Sequence, residues 1–314
     1  MDNHNAPSTH SSHLPHLQKL PTLEKGAVFI ADSHYRASDM FDTQGDFLGD
    51  FRGDWHEFAT NLNATTSNAK NTNAAQPNID SLFLKMLDSL IISPPPQLFF
   101  MGDIADLLIG HIPSSARQNR HLIQKINALS QQCEVFYFEG NHDFGIDSAL
   151  LPNVKIYPRI AQPALFDFGG KIYALAHGDI FIDKGYEIYI KTMNLAIILS
   201  GFKILDILSF SKIYDFISHK VHKKRIKRLD FSQNGFYDFA KKRAQKYIND
   251  FAKSSQNIHT KQISGIIEGH FHIGQRAQIT DFSQDLQNTK NTTKSIEYIS
   301  LPSFFCNQVF FTLL

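Results

Sequence analysis

Five short motifs in this sequence place aspartate, asparagine and histidine directly after apolar runs. They are Asp32-Ser33-His34, Gly102-Asp103, Gly140-Asn141-His142-Asp143, His177-Gly178-Asp179 and Gly269-His270-Phe271-His272. Carboxylate, amide and imidazole groups form a mixed oxygen and nitrogen ligand set for divalent metals, without the thiolates of structural zinc sites. Seven candidate ligands suit two ions better than one. Two neighbouring ions favour phosphoryl hydrolysis, in which a carboxylate such as that of Asp103 can bridge them and a shared hydroxide can attack.

Taken singly, several motifs also have an ordinary structural interpretation. Gly-Asp after a strand is common turn chemistry, and His-Gly-Asp can be a turn beside a buried histidine. The pairs Asp32/His34 and His270/His272 are each two residues apart, and an extended backbone would place both members of a pair on one face. Five such motifs in one order are hard to explain as five separate turns, so the sequence favours a metal site.

Each motif ends or follows an apolar run that suits one β-strand. The runs lie within 26–32, 96–103, 133–143, 171–179 and 262–272. They are rich in β-branched or aromatic residues, and their continuity predicts strands buried on both faces. Helix-length segments at 80–92 and 118–132 separate the early runs. This predicts an α/β layered domain in which the carboxyl ends of the strands bring the motifs together.

Composition sets further bounds on the chain of 314 residues. Residues 1–24 are polar and His-rich and are predicted to be a disordered tail, followed by one domain over 25–314 with a low-complexity surface insertion at 61–78. Cys133 and Cys306 are too few for a disulfide framework, which favours a reducing cytoplasm. The N-terminus lacks the apolar core of a secretory signal, and no apolar run is long enough to predict a transmembrane helix.

The segment 180–262 is predicted to be a helical, basic cap insertion. It carries sixteen Lys and Arg against seven Asp and Glu, a net charge of +9 in a chain whose total is +1. Its densest part is the run 219–228. Apolar residues recur at helical spacing and predict an apolar helix face, at Ile198, Phe202, Leu205, Leu208, Ile213 and Phe216. Such a segment could bind an anionic membrane surface, or equally it could be an ordinary helical cap whose basic side faces solvent. Nucleic-acid binding is less favoured, because no aromatic side chains alternate with the basic residues to stack on bases.

The ordered motifs resemble those of the calcineurin-like metallophosphoesterase superfamily: D-x-H, G-D-x-x-D, G-N-H-D, H and G-H-x-H. The resemblance implies a four-layer α/β-β/α sandwich with two divalent ions, manganese, iron or zinc. It implies one ion on Asp32, His34, Asp103 and His272, and a second on Asp103, Asn141, His177 and His270. His142 matches the catalytic position that assists the leaving group or stabilises the transition state. Asp106 and Asp143 are predicted to support the ligands from outside the coordination sphere.

A closer resemblance concerns the segment from Ala176 to Lys191 and the cap after it, which look like the UDP-2,3-diacylglucosamine diphosphatases of lipid A biosynthesis. It implies manganese-dependent cleavage of UDP-2,3-diacylglucosamine to UMP and 2,3-diacylglucosamine 1-phosphate, at the inner face of the bacterial inner membrane. Many members of that family have G-N-R-D where this chain has His142. The alternative is therefore a soluble calcineurin-like phosphodiesterase or phosphatase with a non-lipid substrate. A scaffold without catalysis is disfavoured, because every ligand position is filled.

Overall fold

The computed structural model describes residues 20–36, 79–253, 263–280 and 295–314. The strands of these ranges are β1 (Val28–Ile30), β2 (Gln97–Phe100), β3 (Leu108–Ile109), β4 (Glu134–Phe138), β5 (Asp143–Phe144), β6 (Lys155–Tyr157), β7 (Ala164–Phe168), β8 (Lys171–Ala176), β9 (Ile263–Glu268), β10 (Gln275–Ile279), β11 (Ile296–Ser300) and β12 (Phe311–Thr312). The helices are α1 (Ile79–Ile92), α2 (Pro113–Gln118), α3 (Arg120–Leu129), α4 (Lys184–Met193), α5 (Ala196–Leu208), α6 (Lys212–His222), α7 (Gln233–Lys253) and α8 (Phe304–Asn307).

Most of the described strands form two mixed sheets of five. The first has the order β12-β1-β2-β4-β6, in which the pairs from β1 to β6 are parallel and β12 is antiparallel. The second has the order β10-β11-β9-β8-β7, with a parallel centre and an antiparallel strand at each edge. Parallel strands share one direction, so their carboxyl ends emerge together at one edge of each sheet.

The two sheets pack face to face through an aromatic core. Phe99 stacks on Phe29 with ring centroids 4.6 Å apart and on Phe136 at 4.4 Å. Their sequence neighbours, such as Leu98 and Val135, enter a second core on the opposite face of the first sheet. Because alternate strand residues point to opposite faces, each central strand is buried on both sides. The five apolar runs are therefore strands, as predicted.

Helices cover the outer face of each sheet. On the first sheet, α1 buries Phe83, Met86 and Leu90 beside α3. On the second sheet, α7 buries Phe236 and Tyr247 together with two alanines that let the helix approach closely. The order of layers is helices, sheet, sheet and helix, which confirms the predicted four-layer α/β-β/α sandwich.

The helices α4, α5 and α6 form a cap beside the sandwich. They pack on the small β3–β5 sheet through a separate core that includes Leu107, Phe144, Leu199 and Tyr214. The predicted cap range, 180–262, therefore covers two parts of the fold, because α7 belongs to the outer layer of the second sheet. The cap proper consists of α4, α5 and α6.

The residues of the predicted apolar helix face divide between the cap core and the surface. Phe202 is half-buried against the cap core, but Leu205, Leu208 and Phe216 are exposed. The reason is a buried carboxylate: Asp206 accepts a 3.1 Å hydrogen bond from the backbone nitrogen of Ser114. This contact turns the polar Asp206 inward and leaves its apolar neighbours outside.

Three smaller predictions have mixed outcomes. Cys133 and Cys306 are both free thiols. The predicted disordered tail at 1–24 was too long, because Leu23 is 2% exposed and Thr22 forms a β-bridge with Asp167 of β7. Residues 1–19 and the predicted insertion at 61–78 lie outside the described ranges. In those ranges no single helix is long and apolar enough to cross a membrane, although α4 and α5 pass that test as a pair bent by 53°.

Candidate metal centre

Five loops bring the predicted ligands to one place between the two sheets. In the first sheet, β1, β2 and β4 lead into the loops of Asp32, Asp103 and Asn141. In the second sheet, β8 and β9 lead into the loops of His177 and His270. Aspartate and histidine from these loops form three groups whose ligand atoms lie within 4.8 Å of one another: Asp32, His34 and His272; His34, Asp103 and His142; Asp103, His177 and His270.

Asp103 lies between the two ends of this cluster. Its Oδ2 is 4.0 Å from Nε2 of His34 on one side and 3.5 Å from Nε2 of His177 on the other. At the first end, Nε2 of His272 is 3.3 Å from Oδ1 of Asp32. A carboxylate in this central position can contribute to both ends of the cluster at once.

At the second end, three candidate ligand atoms converge. Nε2 of His177 is 3.4 Å from Oδ1 of Asn141 and 3.3 Å from Nδ1 of His270. Nδ1 of His177 faces the carbonyl oxygen of Met101 at 2.9 Å, so Nε2 is the nitrogen that would present its lone pair to a bound cation. Two imidazole lone pairs and an amide oxygen that face one point are a suitable ligand set for a divalent cation.

Some polar atoms of the cluster are buried without a hydrogen bond. Oδ1 of Asp32 and Nε2 of His34 are among them. A buried polar atom without a partner costs about 1–3 kcal/mol, so such atoms need an explanation. Bound cations would satisfy them, and the oxygen and nitrogen donors fit manganese, iron or zinc.

The backbone at the cluster is unusual and corrects one prediction. Five candidate ligands have left-handed backbone, with φ between 44° and 65°: Asp32, His34, Asp103, His270 and His272. The expectation that an extended backbone aligns the pairs Asp32/His34 and His270/His272 was therefore wrong. Left-handed conformations of non-glycine residues are strained and persist where surrounding contacts hold them, typically at functional sites.

Burial and neighbouring charges shift the pKa values of the cluster residues in different directions. Burial would raise the pKa of Asp103, but the positive charges of His177 and His142 hold it well below its usual range. Burial and the charge of His177 lower the pKa of His270 to about 4, so its imidazole is neutral at pH 7. Burial would lower the pKa of His272, but Asp32 raises it to about 10. A cation held between Asp32 and His272 would take the place of that proton.

Asp106 and Asp143 support the cluster from outside it. Asp106 faces four groups: Oδ1 is 3.4 Å from Nδ1 of His34 and 3.8 Å from Nδ1 of His142, and Oδ2 is 3.2 Å from Nε of Arg36. His222, at the end of α6, places its Nε2 3.7 Å from the same Oδ2. The cap therefore reaches the cluster through His222.

The run 219–228 lies partly over the cluster. Lys224, Arg225 and Lys227 line a cleft together with Asp103, His142 and other cluster residues. The sequence predicted a membrane-facing or solvated surface for this run, and it predicted neither the position over the cluster nor the role of His222. The histidine that precedes the basic residues, His222, could have indicated this position, but it is far in sequence from the five motifs.

An apolar cavity of about 290 Å³ opens beside the cluster. Its polar lining residues include Asn141 and His142 beside the cluster, together with Asp206 and Lys224. Its apolar wall comes from the β3–β5 region and from the cap, with Phe144, Met193 and Tyr214 among the lining residues. The cavity therefore joins the predicted metal ligands to the inside of the cap.

Comparison with known proteins adds little. No protein-family model matches the chain, and no curated protein matches it. Among solved structures 39 chains match. One is a dimetal phosphatase from Danio rerio, 12% identical, with a TM-score of 0.35 over 90% of this chain and 88% of that chain. A TM-score this low supports no conclusion, so the function proposed for this chain rests on the geometry of the site.

Proposed function

We propose that this chain is a metal-dependent phosphoesterase with two divalent ions. The observation that carries the proposal is the central carboxylate of Asp103, which faces His34 at one end of the cluster and His177 at the other. Asp32, His34, Asp103 and His272 would hold one ion, and Asp103, Asn141, His177 and His270 the other. Bound there, two cations would activate a water molecule and offset the charge of a phosphate group.

His142 has the geometry of a catalytic residue. Its Nδ1 lies 2.7 Å from the carbonyl oxygen of Asp106, which fixes the ring and its tautomer. Burial would lower the pKa of His142, but Asp103 and Asp106 raise it above the usual value. A protonated Nε2 beside the ligand cluster can donate a proton or a hydrogen bond to the leaving oxygen of a phosphate ester.

The finer part of the proposal concerns the substrate, a nucleotide-linked lipid such as UDP-2,3-diacylglucosamine. The cavity supports it, because an acyl chain needs an apolar space that begins at the reacting phosphate. The cleft of Lys224, Arg225 and Lys227 also supports it, since a pyrophosphate carries charge on both sides of the bond that breaks. A substrate of this kind is embedded in a bilayer, so the inner face of the bacterial inner membrane remains the predicted location.

The test is hydrolysis of UDP-2,3-diacylglucosamine by the purified chain with manganese. We expect release of UMP, and we expect Asp103→Ala to abolish it. Bis-p-nitrophenyl phosphate is the second substrate, because it needs the ions but no lipid site. Cleavage of that compound without UMP release would favour the alternative, a phosphodiesterase or phosphatase with a non-lipid substrate. No metal-dependent cleavage of either compound would contradict the whole proposal.

A further inference from the structure

Large apolar side chains are exposed on the outer side of the cap. Among the described residues, twelve of the sixteen exposed large hydrophobic side chains lie between 188 and 217. Eight of these are 56% to 86% exposed. Six of the eight lie in α5, in α6 or in the turn between them, and we call these six the cap face: Ile197, Ile204, Ile207, Leu208, Phe210 and Phe216. Monomeric proteins rarely leave so much apolar surface in water unless it contacts a partner or a membrane.

Polar contacts on the inner side of the cap hold this arrangement in place. Asp206 of α5 accepts a hydrogen bond from the backbone nitrogen of Ser114. In α6, the hydroxyl of Tyr214 donates to the carbonyl oxygen of Leu107 at 2.9 Å, and Ser218 donates to Oε1 of Gln118 at 3.1 Å. Rotation of either helix to bury the cap face would break these bonds. The apolar side is therefore directed outward by the fold.

The charges around the cap face select the partner. The helices α5 and α6 are fully described, and their exposed charged residues are Lys203, Lys212 and Lys220 against Asp215. Nζ of Lys220 lies 4.5 Å from the ring centre of Phe216, at the margin of the apolar surface. A symmetric dimer through this face would bring the same lysines together, whereas an anionic bilayer would attract them. We propose that the cap face inserts into the headgroup region of an anionic lipid bilayer.

The cap face and the cavity share a helix. Ile213 and Ile217 of α6 line the cavity, and Phe216 of the same helix belongs to the cap face. A lipid-linked substrate would then need to move only across α6 to pass from the bilayer to the metal centre. That route rests on the proposed function, but insertion of the cap face does not.

The test is co-sedimentation of the full chain with vesicles of phosphatidylethanolamine and phosphatidylglycerol. The variant is Leu208→Ser/Phe210→Ser, and the control is Ile92→Ser/Ile160→Ser, which removes two side chains that are 82% and 95% exposed outside the cap. We expect the cap variant to lose at least about tenfold in vesicle partitioning. The control should bind as the wild type does, and pure phosphatidylcholine vesicles should bind the wild type less.

Three results would overturn the insertion proposal. They are a wild type that does not sediment with anionic vesicles, a cap variant that binds as well as the wild type, and a wild-type dimer that the cap variant converts to a monomer. The last result would identify a second copy as the partner. Circular dichroism establishes that both variants fold. Hydrolysis of bis-p-nitrophenyl phosphate by the wild type tests the metal centre separately, so the two proposals can fail independently.

A different observation concerns a buried arginine behind the metal centre. Arg243 of α7 donates from Nε to Oε1 of Glu268 at 2.8 Å and from Nη2 to Oε2 at 2.7 Å. It also donates to the carbonyl oxygens of Gly178 and Ile180, both at 3.0 Å. Glu268 accepts further hydrogen bonds from the hydroxyls of Tyr247 and Tyr298. The charges are fully paired although both side chains are buried.

This pair joins two ligand loops. Glu268 ends β9 two residues before His270, and Gly178 directly follows His177. A buried ion pair is seldom more stabilising than apolar side chains of similar size, so stability alone does not account for it. We infer that Arg243 is a positioning residue that sets the spacing of His177 and His270, and with it the affinity of the second ion. This inference rests on the proposed two-metal function.

The test is calorimetric titration of the metal-free protein with manganese. Arg243→Lys keeps the charge but lacks the geometry to bond Glu268 and both carbonyls at once. We expect it to weaken binding of one of two ions by about tenfold, as loss of contacts behind metal ligands does. The matched control is Lys246→Met on the same helix, because Lys246 donates to the carbonyl oxygens of Phe181 and Ile182 in the same loop.

A second variant separates position from stability. Arg243→Met/Glu268→Met replaces the pair by apolar side chains and should keep the protein folded, which thermal unfolding establishes. We expect this variant also to bind one ion more weakly. Wild-type affinity for both ions in either folded variant would overturn the positioning role and leave the two-metal function intact. A wild type that binds no ion would overturn both.

Discussion

Asp143 accepts at Oδ1 a 2.9 Å hydrogen bond from the backbone nitrogen of Asp103. The same carboxylate accepts from the backbone nitrogens of Ile104 at 2.6 Å and Gly140 at 2.8 Å, and from the hydroxyl of Tyr137 at 2.6 Å. The Gly140–Asp143 motif therefore holds the backbone of the Gly102-Asp103 motif, in which Asp103 has a φ of 52°. Four donors on one buried carboxylate explain how that conformation persists.

Asp143→Asn should destabilise the protein and weaken metal binding. An amide NH2 would face donors that now bond to a carboxylate oxygen, which costs about 3 kcal/mol of unfolding free energy. Urea unfolding of the metal-free protein measures the loss. Asp147→Asn is the control, because Asp147 also accepts backbone hydrogen bonds but at an exposed site, from Ala149 and Leu150. Equal losses in both variants would contradict the special role of Asp143.

His142→Gln should reduce turnover and leave metal content intact. If His142 acts on the leaving group, we expect kcat on bis-p-nitrophenyl phosphate to fall by about 100-fold or more with little change in KM. Metal analysis of the purified variant should still find two ions per chain. Loss of an ion from the variant would instead identify His142 as a metal ligand. That role is also possible, because candidate ligand atoms of His142, His34 and Asp103 lie within 4.8 Å of one another.

Gly140→Ala should damage the site, whereas Gly201→Ala should not. A Cβ at Gly140 would clash with Oδ1 and the backbone nitrogen of Asp103, so we expect a loss of about 1–3 kcal/mol and of manganese affinity. A Cβ at Gly201 in α5 meets nothing within 4 Å, and alanine there should stabilise the helix by about 0.5–1 kcal/mol. Thermal unfolding and calorimetry of both variants check the contrast.

Glu139→Gln should change how stability depends on pH. Burial raises the pKa of Glu139 from 4.5 to about 7 in the folded protein. Since the folded state holds this proton more tightly, the protonated Glu139 contributes fully to the free energy of unfolding below pH 4.5. This contribution is lost as the pH rises to about 7, a change of up to about 3 kcal/mol. Urea unfolding of the metal-free protein across this range should show a smaller decline for Glu139→Gln than for the wild type.

The control for this pH series is Glu24→Gln, because Glu24 is exposed. It should follow the wild-type decline. A decline in Glu139→Gln as large as that of the wild type would show that the Glu139 carboxyl is not responsible.

The sequence by itself determined the strands and the residues that could bind metal. Strands such as Glu134–Phe138 are apolar because both of their faces are buried, and that pattern is local. The order of the motifs also indicated the four-layer sandwich, through a resemblance. The ligand roles remain predictions, although the structure brings all seven residues together.

Only the tertiary structure decided the conformations and contacts that depend on distant residues. Asp206 meets Ser114 across 92 positions, and this contact turns the polar side of α5 inward and its apolar side outward. The left-handed backbone at Asp103 depends on Asp143, 40 positions away. The position of Lys224 over the cluster depends on the packing of the whole cap. Helical spacing describes a side chain's neighbours on its own helix, whereas burial and charge pairing are set by elements that arrive from elsewhere in the chain.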